Sequence, residues 1–106
     1  FAAVQNKAGK FVKASIPSVT AAAAGTKMPK DYRVSITDAE GEAAYPVSTF
    51  TWLLIYEKNT GDKGAVLRDF LKWMLKDGQG MASDLGYAPL PDSVNAMVAK
   101  TIEGIK

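Results

Sequence analysis

Apolar and polar residues alternate along the stretch from Tyr45 to Tyr56, and its last five residues, from Trp52 onward, are all apolar. In an extended chain, successive side chains point to opposite faces. One face would carry Ser48, Phe50, Trp52, Leu54 and Tyr56, and the other Val47, Thr49, Thr51, Leu53 and Ile55. A strand that is apolar on both faces is typical of an α/β sheet covered by helices on both sides. We therefore predict a buried strand from Tyr45 to Tyr56.

A helical period follows the break at Asn59–Asp62. Apolar residues recur at helical spacing, namely Leu67, Phe70, Leu71, Met74 and Leu75. This spacing predicts an amphipathic helix, for which Gly78 is a natural C-terminal stop.

The remaining C-terminal segments are shorter. We predict a short helix from Met81 to Leu85, an extended segment from Tyr87 to Pro91, and a last helix. That helix places Val94, Met97, Val98, Thr101, Ile102 and Ile105 on one side.

The first half of the chain begins with a hairpin pattern, in which residues 2–5 and 11–13 flank the turn Asn6–Lys10. Ser15 is a plausible N-cap for an alanine-rich helix that tolerates Pro17 in its first turn and stops at Gly25. From Gly25 to Ala44 only a short strand, Tyr32 to Ile36, and an acidic turn are predicted. Such a long irregular connection is unusual in a compact domain, so we expect it to drape over, or cross between, separate bodies.

Composition places the chain among soluble globular domains. Of 106 residues, 47% are hydrophobic and 23% are charged. The apolar run is far short of the ~20 residues of a membrane-spanning helix, and no leader pattern precedes Phe1. Because Phe1 is not an initiator methionine, we expect that an upstream segment was removed. Cysteine is absent, which excludes disulfides but fits either the periplasm or the cytosol.

Basic residues are concentrated at the start of the chain, although the net charge is only +2. The first 30 residues contain no acid and five lysines: Lys7, Lys10, Lys13, Lys27 and Lys30. These lysines flank turns and loops without the interleaved aromatic residues that bind single-stranded nucleic acid. No nucleic-acid partner is predicted.

Catalytic and metal-binding chemistry has little support. Without histidine or cysteine, the commonest bases, nucleophiles and metal ligands are missing, and we predict no enzyme and no cofactor. Asp38, Glu40 and Glu42 lack the other ligands of a calcium loop. Gly78–Gly80 follows a helix, whereas a phosphate-binding loop follows a strand and precedes a helix. We therefore favour a helix stop and link at these glycines.

Two further sets of residues have side chains that could bind a ligand, but we favour a structural role for each set. Ser48 and Thr49, after Pro46, have hydroxyls suited to a cleft edge, although polar residues are ordinary at a strand start. An aromatic platform would use Trp52, Trp73, Tyr56 and Tyr87. Anchoring in the core is the preferred role of the two tryptophans.

The order of several segments resembles the C-terminal third of periplasmic phosphate-binding proteins, the receptors of phosphate ABC transporters. The matching segments are Val4–Val12, Ser18–Ala23, Tyr45–Tyr56, Phe70–Gly80 and, most specifically, Leu85–Val94 with the sequence LGYAPLPDSV.

This resemblance implies an α/β fragment of a two-lobed periplasmic-binding-protein fold of type II. Residues 1–44 would be the tail of the second lobe and a crossing segment, and residues 45–106 the closing strand and helices of the first lobe. The parent would be periplasmic or lipid-anchored outside the cell. It would deliver phosphate to the membrane subunits of an ABC importer.

The family's phosphate ligands lie in a Gly-Ser-rich turn and in an Arg followed by Ser-Gly-Thr. Neither motif occurs here, since Arg33 and Arg68 lack that continuation. We therefore assign no phosphate-binding residue and expect the chain alone to bind phosphate weakly or not at all. It would complete its fold with the remainder of the receptor or with a swapped copy. The alternative is a small self-sufficient α/β interaction module without a small-molecule site.

Overall fold

Two units lie along the length of the molecule, which measures 51 × 28 × 18 Å in a computed structural model of residues 1–106. The N-terminal unit comprises residues 1–50 and the C-terminal unit residues 57–106. Residues 51–56 connect them in an extended, irregular conformation.

The N-terminal unit opens with the predicted hairpin. Strands β1 (Ala3–Gln5) and β2 (Phe11–Lys13) pair antiparallel, with Val4 opposite Val12. The Asn6 amide donates to the Lys10 carbonyl at 2.9 Å, and Gly9 takes the left-handed backbone, φ 78°, that the turn requires.

Helix α1 (Ile16–Ala24) also follows the prediction. Ser15 and Ser18 form a reciprocal capping box, Pro17 lies in the first turn, and Gly25 caps the end. The buried face of α1 packs on the irregular segment that follows it. This first hydrophobic cluster consists of Ala22, Ala23, Ile36, Ala39 and Ala44, with Phe50 against it.

The C-terminal unit is helical. Helix α2 (Lys63–Trp73) continues through a π-helical turn (Met74–Gly78) into helix α3 (Gln79–Ala82). Helix α4 (Asp92–Ile102) packs against α2. The second cluster contains Leu71, Ile102 and Ile105, flanked by Leu67, Met74, Leu75 and Val98.

The predicted stop at Gly78 and the separate helix at Met81–Leu85 are both wrong. Gly78 keeps right-handed helical angles, φ −63° and ψ −34°, so the helix runs on to Ala82. A widened π turn disturbs the regular backbone ladder at this point. The Asn95 side-chain amide, from α4, donates to the Leu75 carbonyl at 3.0 Å. A contact from another helix thus supports the continuation.

The predicted strands Tyr45–Tyr56 and Tyr32–Ile36 do not form. Strand structure requires a neighbouring backbone, and no backbone amide from Val47 to Tyr56 donates to another backbone group. Tyr32 has φ 59°, which is incompatible with a strand. The predicted α/β class is nevertheless confirmed, since a hairpin and helices make up the chain.

The chain end attaches to the start of the C-terminal unit. The Lys106 amide donates to the Glu57 carbonyl at 2.9 Å, and the Asn59 amide donates to the Lys106 carbonyl at 2.7 Å. This pairing is the parallel-strand pattern over one residue. No helix has the length and apolar character needed to cross a bilayer.

Candidate docking surface

The most exposed apolar part of the molecule is the segment Phe50–Tyr56, here called the apolar segment. Leu54 is 98% exposed, Tyr56 84% and Leu53 57%. These residues are contiguous, so they do not resemble the single apolar residues scattered over an ordinary surface. A contiguous exposed patch of this kind marks an interaction surface.

The backbone of the apolar segment is free as well. None of its amides donates to a backbone carbonyl, and the Tyr56 carbonyl accepts only from the Asn59 side chain, at 3.0 Å. An extended backbone with unpaired donors and acceptors is a template for strand addition. The segment can therefore accept both strand pairing and side-chain packing.

A second apolar stripe lies on α2. Val66, Phe70 and Trp73 follow helical spacing and are exposed, while Leu67 and Leu71 face the cluster beneath. Phe70 and Trp73 stack with ring centroids 6.0 Å apart. The helical spacing predicts Phe70 on the buried stripe, but α4 covers only one side of α2. Thus α2 presents two apolar faces, of which one has a partner.

The molecule exposes more surface than a compact chain of its size. Its accessible surface is 7570 Å². A compact monomer of this mass would expose about 5,700 Å². The radius of gyration is 15.5 Å. A compact domain of this length would have a value of about 13 Å. The excess of about 1,800 Å² is of the order that one partner contributes to a large interface.

The aromatic residues do not form a platform, and the tryptophans are not core anchors. Trp52 is 48% and Trp73 44% exposed. Each tryptophan pairs with a phenylalanine, Trp52 with Phe50 and Trp73 with Phe70, and no ring pair joins the two tryptophans. Tyr56 and Tyr87 are exposed without an aromatic neighbour. The predicted burial of the two tryptophans is wrong, because no helix or strand of this chain covers the segments that carry them.

Ser48 has a structural role, as favoured from sequence. It is buried, its hydroxyl donates to the Tyr45 carbonyl at 2.7 Å, and its own carbonyl accepts from the Thr37 hydroxyl. Thr49 is exposed and its hydroxyl is directed to the neighbouring Phe50 carbonyl. Neither hydroxyl converges with another donor on a binding site.

The acidic turn does not gather its carboxylates into one cluster. No group of three acidic, histidine or cysteine residues is placed to bind a metal ion. Glu40 instead pairs with Lys7 of the hairpin turn, and its hydrogen bond and negative charge raise the pKa of the Lys7 ammonium. Because the pKa is raised on folding, this stabilisation is present below pH 10.5 and is lost only as the pH rises through the folded pKa. Both groups are exposed, so the pair contributes little.

The two arginines, Arg33 and Arg68, lie in different parts of the structure. Arg68 donates to the Ile105 carbonyl and thereby fastens the chain end to α2. Arg33 is exposed and lines a shallow cleft of about 510 Å³ with Ser35, Trp52 and Leu54. Asp31 lies in the same cleft, and its negative charge opposes the binding of an anion there.

Gly78–Gly80 lies within the continuous helix and forms no loop.

The sequence predicts Asn6 only as a turn residue, yet this residue organises the N-terminal unit. Its buried side-chain amide donates to the carbonyls of Gly41, Glu42 and Ala44 at 2.9–3.1 Å, and its Oδ1 accepts from the Lys10 amide. The hairpin is thereby fixed to the acidic turn. An asparagine in a hairpin turn is common, so the sequence offered no signal for this long-range role.

Comparison with known proteins gives relatives along most of the chain, although no family model matches. The phosphate-binding protein PstS of Xylella fastidiosa (strain 9a5c) is 38% identical over 98 residues, 89% of this chain and 27% of that protein. PstS of Methanocaldococcus jannaschii is 34% identical over 119 residues, 99% of this chain and 31% of that protein. PstS of Pasteurella multocida is 34% identical over 99 residues. The chain spans less than a third of the length of these relatives.

Proposed function

The chain is homologous to a segment of the PstS phosphate-binding proteins, and on this basis we propose that it is part of a receptor that delivers inorganic phosphate to an ABC importer. The single observation that carries the proposal is the similarity along 89–99% of the chain to several such proteins. Its place is the C-terminal portion of a two-lobed α/β receptor. Residues 1–44 belong to the second lobe and a crossing segment, and residues 45–106 to the first lobe.

The role of this segment is to complete the receptor without contacting phosphate. Ser48 and Arg68 are committed to carbonyls of the chain, and Arg33 shares its cleft with Asp31. A phosphate site needs several convergent donors, such as hydroxyls, backbone amides and an arginine. The phosphate ligands therefore lie in parts of the receptor outside these residues.

The remainder of the receptor is the partner of the apolar segment. It adds strands to the free backbone edges and covers both apolar faces, so that Phe50–Tyr56 becomes the end of the buried strand predicted from Tyr45 to Tyr56. The Val66, Phe70 and Trp73 stripe of α2 packs over the same sheet. The excess accessible surface of about 1,800 Å² supports this assignment, because it is similar to the area that one partner buries in a large interface.

The named relatives are phosphate-binding proteins, which supports a role in binding rather than catalysis for this chain. The receptor acts in the periplasm, or outside the cell on a lipid anchor, and passes phosphate to the membrane subunits of the importer.

Phosphate titration of two samples tests this proposal. One is the 106-residue chain alone, and the other is the chain co-expressed with the remaining part of the receptor. We expect no calorimetric binding by the chain alone and micromolar or tighter binding by the assembly. The chain carrying Leu54→Asp should fail to assemble, while Leu85→Asp, at an exposed residue outside both apolar surfaces, should assemble.

Two results would contradict the proposal. One is micromolar phosphate binding by the chain alone, which would place ligands within it. The other is a stable assembly that binds no phosphate, which would favour an interaction module.

A further inference from the structure

One hydrogen bond joins the two units of the molecule. The Tyr32 hydroxyl and the Thr101 hydroxyl are 2.6 Å apart, and no other hydrogen bond links residues 1–50 to residues 57–106. The ion pairs lie within the units, Lys7 with Glu40 in one and Lys72 with Glu103 in the other. The polar connection between the units is therefore a single contact to α4.

Tyr32 is held in an unusual conformation for a bulky residue. Its φ of 59° lies in the left-handed region. Its amide donates to the Pro29 carbonyl at 3.1 Å, and its carbonyl accepts from the Trp52 indole nitrogen at 3.3 Å. Such a conformation persists only where surrounding contacts fix it, and it is concentrated at switch and clamp positions.

The covalent connection does not set the orientation of the units by itself. Residues 51–56 make no backbone-to-backbone hydrogen bonds, so no such bond restrains the dihedral angles of this linker. Trp52 belongs to this linker and bonds back to Tyr32. Tyr32 thus contacts the linker with its carbonyl and the C-terminal unit with its hydroxyl.

We propose that Tyr32 is a latch that sets the relative orientation of the N-terminal and C-terminal units through its hydrogen bond to Thr101. Resting on the proposed function, the same bond biases lobe closure in the receptor, because Tyr32 lies in the proposed crossing segment, residues 1–44, and Thr101 in the proposed first lobe, residues 45–106. Loss of the hydroxyl leaves each unit folded but frees the angle between them.

Distance measurements between spin labels test the latch directly. The chain has no cysteine, so Lys10→Cys and Lys76→Cys, both at exposed positions, give two unique labels, one in each unit. Samples diluted with unlabelled chain report distances within one molecule. We expect one narrow distance in the parent chain and loss of that single distance in Tyr32→Phe and in Thr101→Val.

Matched controls separate the latch from general damage. Tyr87 is exposed and its hydroxyl makes no hydrogen bond, so Tyr87→Phe should keep the parent distance. Circular dichroism should show the same helix content in every variant. A Tyr32→Phe distribution that superimposes on that of the parent would overturn the latch.

The effect on closure is measured in the full-length receptor. Tyr32→Phe should change the phosphate Kd by about fivefold, which is the ratio that one neutral hydrogen bond of typical strength provides. A parent receptor without phosphate binding would overturn the proposed function. A parent that binds, with an unchanged Kd in the variant, would overturn only the role in closure.

Discussion

At the scale of single residues, buried hydrogen bonds between distant parts of the chain matter more here than exposed charges. Asn6 is 5% exposed and joins the hairpin to three carbonyls some 35–38 residues away. The exposed pair Lys7–Glu40 spans the same elements but is screened by solvent. The amide side chain, not the ion pair, fixes this junction.

Substitution of Asn6 tests whether its buried side chain contributes more to stability than an exposed hydrogen bond does. Asn6→Ala leaves the carbonyl of the buried residue Ala44, and those of Gly41 and Glu42, without their side-chain donor, so the free energy of unfolding should fall by about 2 kcal/mol. Urea denaturation monitored by circular dichroism measures the change. Gln5→Ala, which removes one exposed bond of 3.3 Å, should change it by less than about 0.5 kcal/mol. Equal effects of the two substitutions would show that the buried amide has no special role.

At the scale of elements, the helices of the C-terminal unit depend on close contact with the chain end. Gly64 of α2 is buried, and a Cβ at this position would collide with the Lys106 backbone. Gly80 of α3 has open space around it. The two glycines therefore offer opposite outcomes for the same substitution.

We expect Gly64→Ala to displace Lys106 and Gly80→Ala to stabilise the helix by about 0.5–1 kcal/mol. The Asn59 amide donates to the Lys106 carbonyl, so its hydrogen-exchange protection should fall in Gly64→Ala. Protection in Gly80→Ala should be retained or increased. Unchanged protection of Asn59 in Gly64→Ala would mean that the chain end is not held as described.

At the scale of the whole molecule, burial is incomplete. Only 14 of 106 residues are buried, and the largest fully buried side chain is that of Ile36. The two clusters contain five and three buried residues, so neither forms a core typical of a full domain. We expect a chain with this surface to bury its apolar residues against another polypeptide.

Self-association of the chain on its own is the expected consequence. Light scattering should give a mass above 11.3 kDa that rises with concentration. Leu54→Glu should lower it towards the monomer value, because charge opposes strand pairing along the apolar segment. Phe11→Glu, at a residue 72% exposed but outside the two apolar surfaces, should not. A parent chain that stays monomeric at all concentrations would favour the self-sufficient module.

The sequence by itself determined the features that depend on neighbours within a few residues. Ser15, Pro17 and Gly25 specify α1, the turn at Asn6–Lys10 specifies the hairpin, and apolar spacing specifies α4. Capping bonds, turn angles and helical periodicity are short-range, so these elements form as predicted.

Only the tertiary structure decided the features that require distant partners. The pattern from Tyr45 to Tyr56 predicts a strand, but a strand exists only with a neighbouring backbone, and here no backbone amide from Val47 to Tyr56 donates to another backbone group. The three distant carbonyls bound by Asn6, the helix continued past Gly78 beside Asn95, and the Tyr32–Thr101 bond likewise join residues far apart in the chain. No local pattern encodes such contacts, because their free energy arises only when separate elements meet.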